Sequence, residues 1–117
     1  YTTFDKLIIN KNSNFILNEI HKLDILTSIN IIDAFLKRNN FTNSDILFLC
    51  TERISEIIDK IYKLLDTISY KLDKYNKSWF KLIFNINLSL EIDELKTYEK
   101  ILNNRIDMFI KLFIINK

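Results

Sequence analysis

The twelve residues YKLDKYNKSWFK, 70–81, hold the densest set of side chains that could do chemistry in this chain. Lys71, Lys74, Lys77 and Lys81 are interleaved with Tyr70, Tyr75, Trp79 and Phe80. Lysines pair with phosphates and aromatic rings stack on bases, so the pattern could bind single-stranded nucleic acid. The candidate binding residues are Lys71, Lys74, Tyr75, Lys77, Trp79 and Lys81. The competing reading is a solvated lysine face beside core aromatics. Charge balance favours that second reading. Seventeen basic against fifteen acidic residues leave a net charge of +2, too little for a strong pull toward nucleic acid or an anionic membrane.

Other reactive types are sparse. His21 is the only histidine, and no Cys-His or His-His spacing suits a metal. Cys50 sits in ILFLCTE among leucines and a phenylalanine and reads as a buried apolar residue. Its nearest basic neighbour is Arg53. Glu52 and Glu56 form a carboxylate pair, and Asp59, Asp66 and Asp73 recur every seven residues. A seven-residue interval places side chains on one helix face, here a solvated one. The chain contains no glycine, which excludes a P-loop and a dinucleotide fingerprint. These features predict a non-enzymatic protein with no cofactor and no bound metal.

The elements behind these residues must form without glycine or proline. Valine and glutamine are also missing, and Ala34 is the only alanine, while Ile and Asn are in excess at 22 and 14 residues. The abundant types share AT-rich codons, which points to an extremely AT-rich genome such as that of a parasite or virus. Tight β-hairpin turns need φ > 0 and would have to use Asn or Asp, so an all-β fold is excluded as a first choice. Helices tolerate the composition, because Asn serves at their C-terminal ends. The size fits one domain over residues 1–117, and a chain beginning at Tyr1 is expected to be a fragment or processed part of a longer one. One cysteine leaves no internal disulfide and is compatible with a reducing, intracellular compartment. No apolar run approaches the roughly 20 residues of a membrane-spanning helix.

The strongest periodic segment lies within 44–76. Ile54, Ile58, Ile61, Leu65, Ile68, Leu72 and Tyr75 follow a heptad seam, widened by Ile57 and Leu64. Thr42 with Asp45 resembles a capping box, and Thr51 offers a second start. Glu56–Lys60 and Asp59–Lys63 are spaced as i,i+4 ion pairs. Before this segment, Asp24 or Thr27 is placed to cap a helix with Ile29, Ile32, Phe35 and Leu36 inside and Asn39-Asn40 as its stop. After it, Leu95, Tyr98, Leu102, Ile106, Phe109 and Phe113 form the core face of a last helix. That helix is expected to open at Asp93 and Glu94, with Lys111 and Lys117 toward its end. MFIKLFII, 108–115, is apolar nearly all round and is expected to be central or covered by a partner. FNINLSLEID, 84–93, alternates apolar and polar residues like a strand. A lone strand needs a partner, so a buried helix is the preferred reading of 84–92 and a short strand in an α+β fold its alternative.

The segment SWFKLIF, 78–84, resembles the Trp-led start of the buried central helix in small Bcl-2-like helical domains, including those of poxviruses. It lacks the family's glycine after Trp79 and its asparagine before it. The resemblance implies a groove that receives an amphipathic partner helix. The expectation is an all-α, compact bundle of four to six helices, acting as a protein–protein interaction or structural module. A Bcl-2-like domain is the first alternative, and single-strand binding through 70–81 the weaker one.

Overall fold

In the computed structural model, residues 24–39, 44–77 and 87–115 are described, and every regular element among them is an α-helix. Helix α1 spans Ile25–Arg38, α2 Asp45–Lys77 and α3 Ser89–Ile115. Three helices therefore account for the described residues, and the strand alternative fails where it can be read, since residues 89–92 are helical. No helix there is long and apolar enough to cross a membrane.

Each helix end has a local cause. Ser44 caps α2: its Oγ accepts from the Leu47 amide at 3.3 Å, and its carbonyl accepts from Phe48 at 2.9 Å. The start is therefore neither Thr42, which lies outside the described residues, nor Thr51, whose hydroxyl donates to the Phe48 carbonyl inside the helix. Asn87 Oδ1 accepts from the Ser89 amide at 3.0 Å, and this turn launches α3 four residues before Asp93. Glu91 is then the acidic residue of its first turn, and its last turn carries no basic residue. At α1, Asp24 holds a left-handed φ of 54° and makes no side-chain cap. An Asp tolerates that region better than most residues do. Asn39 ends α1 as expected, its side-chain amide donating to the Phe35 carbonyl at 2.9 Å.

With no glycine or proline to interrupt them, α2 and α3 run 33 and 27 residues. At 1.5 Å per residue they are about 50 and 40 Å long. The molecule is accordingly elongated, 58 × 22 × 18 Å, where the sequence suggested a compact shape. The two long helices are antiparallel: Arg53 meets Arg105, and Lys71 meets Glu91. Leu47, Ile54, Ile61 and Ile68 on α2 are buried at seven-residue intervals, and so are Leu88, just before α3, and Leu95, Leu102 and Phe109 on it. Matched heptads let side chains interlock along a shallow crossing. The predicted seam on α2 is otherwise as read, with Leu65 and Leu72 buried and Ile58 partly buried against the core.

The alternating stretch resolves at helical spacing. Leu88 and Ile92 are buried one turn apart, while Leu90 is 80% exposed. The helix expected to be buried here is covered on one face only. Helix α1 runs parallel to α3 and docks through Phe35, whose ring lies edge-on to Phe109 at 5.9 Å and to Phe113 at 5.5 Å. Such pairs add about 0.5–1.5 kcal/mol beyond the area they bury. Ile25, Ile29 and Ile32 complete the buried stripe of α1.

Candidate functional site

Phe109 and Phe113 turn one side of α3 toward α1. Met108 precedes Phe109 by one residue, a rotation of about 100°, and so faces away from the Phe35 contact. On that free side α2 and α3 leave a groove between them. Its first hollow, about 310 Å³, is lined by Leu49, Cys50, Arg53, Asn104, Arg105 and Met108. Its second, about 390 Å³, has Lys60, Lys63 and Lys71 on the α2 wall and Glu91, Glu94 and Tyr98 on the α3 wall.

The first hollow is apolar. Leu49 is 56% exposed and Met108 61%. Ile46, one turn before Leu49 and Cys50, is exposed as well, and so is Ile115, two turns beyond Met108. Within 108–115 Phe109 is fully buried and Leu112 and Phe113 pack partly buried against the core, while Met108, Ile110, Ile114 and Ile115 are exposed. Cys50 is half-buried on the groove wall rather than enclosed in the core.

Arg105 divides the two hollows. Its Nη1 donates to the Arg53 carbonyl at 2.6 Å and lies 3.6 Å from Glu56 Oε1. Neither expected i,i+4 pair, Glu56–Lys60 or Asp59–Lys63, is among the ion pairs of the described residues. A flexible exposed pair gains little in water, and Glu56 instead lies beside the partly buried Arg105. Lys60 and Lys63 have no carboxylate partner among the described residues.

The second hollow is charged on both walls. Lys71 Nζ contacts Glu91 Oε2 at 2.5 Å. That hydrogen bond holds the Glu91 carboxyl below its ordinary range. Tyr98 donates to Glu94 Oε1 at 2.7 Å, and the bond to a carboxylate pushes the phenol upward. Glu99 occupies the α3 position between Ile92 and Ile106 on a second heptad line. Its Oε2 is buried without a hydrogen-bond partner. Burial, then the negative charge of Asp24, raises its carboxyl above the ordinary range.

Of the residues singled out in 70–81, Lys71 belongs to the Glu91 pair and Lys74 is exposed three residues further on. Tyr75 is half-buried with a contact of its own. The exposed ring one turn from Lys74 is Tyr70, at 67%. Lys77 ends α2, while Trp79 and Lys81 lie outside the described residues, as do His21 and the Trp-led segment 78–84. Asp59, Asp66 and Asp73 do form an exposed stripe on α2. Among the described residues no three His, Cys, Asp or Glu side chains gather as a metal site would require.

Sequence reading met Cys50, Arg53, Lys60, Lys63 and Lys71 singly but did not join them into a groove. Lys60, Lys63 and Lys71 share a helix side, which spacing alone reveals. Nothing in the sequence joins Leu49 to Met108, because only the antiparallel register brings them together. Comparison with known proteins returns no matching family model, no similar curated protein and no similar solved structure. The fold and groove therefore define only a class: an elongated helical bundle in which, among the described residues, a groove runs along the longest helix pair.

Proposed function

We propose that the protein is a non-enzymatic interaction module that seats another polypeptide in the α2–α3 groove. The observation that carries this reading is the exposed apolar hollow around Leu49 and Met108, on the face turned away from α1. Apolar side chains gathered in a groove, rather than scattered singly, are a common mark of a docking surface. The two acidic groups of the charged hollow are committed to Lys71 and Tyr98. The bundle of four to six helices, the single domain over 1–117 and the AT-rich origin belong to the same proposal.

The test places a photo-cross-linking residue at position 49 or 108 in the native source. A docking groove gives a discrete cross-linked product that Asp59, on the solvated stripe, does not give. Equal labelling from position 59, or none from the groove, sinks the reading.

A further inference from the structure

We infer that the occupant of the groove is an acidic amphipathic helix, its apolar stripe over Leu49 and Met108 and its carboxylates beside Lys60 and Lys63. This rests on the interaction-module reading and specifies its partner. The distance fits: Leu49 to Lys63 is fourteen residues of α2, about 21 Å, or roughly four turns of a docked helix.

Charge selects the partner. Arg53, Lys60, Lys63, Lys71 and Arg105 line the groove, against Glu91 and Glu94. Both glutamates are already bound, to Lys71 and Tyr98, and Glu56 at the rim lies beside Arg105. Among the described residues the groove cations without an ion pair are Arg53, Lys60 and Lys63. An acidic helix satisfies them while its apolar side fills the first hollow.

A second copy fits less well. Two such grooves face to face bring like charges together. The exposed acidic stripe of α2 includes Asp66 and Asp73, which already have partners. A nucleic acid has no use for the apolar hollow.

Cys50, the only cysteine, lies in the groove wall and reports occupancy through its rate of alkylation by iodoacetamide. The probes are three eighteen-residue helical peptides: one with leucines along one stripe and flanking glutamates, one with lysines replacing those glutamates, and one acidic with serines replacing the leucines. The full chain is expected to bind the first and not the others, with Cys50 protected. Lys60→Glu with Lys63→Glu weakens that peptide about fivefold, as two exposed pairs predict, and improves binding of the lysine peptide. Leu49→Asp with Met108→Asp abolishes binding while helical circular dichroism is retained.

Equal binding of the lysine or serine peptide overturns the inference, as does equal competition by an eighteen-nucleotide thymidine oligomer. Concentration-dependent self-association that protects Cys50 without peptide overturns it in favour of a second copy. If the native cross-link at position 49 forms but the acidic peptide does not bind, the module reading stands and the acidic-helix inference falls. If neither occurs, both fall.

Discussion

Arg105 reaches from α3 to the backbone of α2, its guanidinium donating to the Arg53 carbonyl across 52 residues of sequence. The accepting carbonyl lies well inside a helix, so the bond pins the axial register of the pair. Neighbouring Glu56 adds an electrostatic contribution at 3.6 Å.

Arg105→Ala is therefore expected to destabilise the fold by about 1–2 kcal/mol, through the lost charged donor and the lost packing of its stem. Arg105→Lys should recover only part, because an ammonium lacks the fork that spans both acceptors. Urea denaturation followed by circular dichroism checks both. A neutral Arg105→Ala variant would mean that the heptads alone set the register.

The heptad line predicts a contrast between two leucines. Leu65 is 1% exposed and Leu90 80%. Leu65→Ala should cost about 2–5 kcal/mol from transfer and cavity terms, while Leu90→Ala should stay within about 0.5 kcal/mol. Similar losses at the two positions would mean that the Leu90 face is covered in solution.

Glu99 predicts a pH dependence with a definite sign. Its carboxyl is raised in the folded chain, so the unfolded chain gives up its proton first as pH rises. Stability from this group is full below about pH 4.3, the ordinary glutamate value, and falls as pH rises through the folded value. Glu99→Leu removes this loss and extends the apolar line. It should raise the melting temperature at pH 7, and by less at pH 4. A gain independent of pH would assign the effect to packing alone.

The Lys71–Glu91 pair carries the opposite sign. The Glu91 carboxyl is lowered, so its contribution is present above the ordinary glutamate value and is lost as pH falls through the folded one. With Lys71 half-exposed, Lys71→Ala should cost only about 0.5 kcal/mol at pH 7. The difference should shrink at high salt and vanish in acid. A cost that persists in acid would mean that the lysine stem packs on Leu64 and matters apart from its charge.

Local sequence was sufficient for the all-helical character and for much of the core. The four- and three-residue spacing from Ile54 to Tyr75 specifies a buried stripe whatever packs against it, because a helix turns 100° per residue. Asn39 ended α1 for an equally local reason, an amide within reach of the carbonyl one turn back. The start of α3 was less legible: a helix puts Leu88 and Ile92 on one side and Leu90 on the other, and nothing in the segment says that only the first side is covered. The groove was not legible at all. Leu49 and Met108, or Arg53 and Arg105, become neighbours only when α2 and α3 pack antiparallel in one register. That register depends on interlocking side chains from both helices and is written in neither one alone. The same holds for charge: residues 70–81 looked basic in one dimension, but α3 set Glu91 against Lys71 and left Arg53, Lys60 and Lys63 as the groove cations with no ion pair among the described residues. Periodicity is a property of one segment, whereas a site is a property of the surface that two segments share.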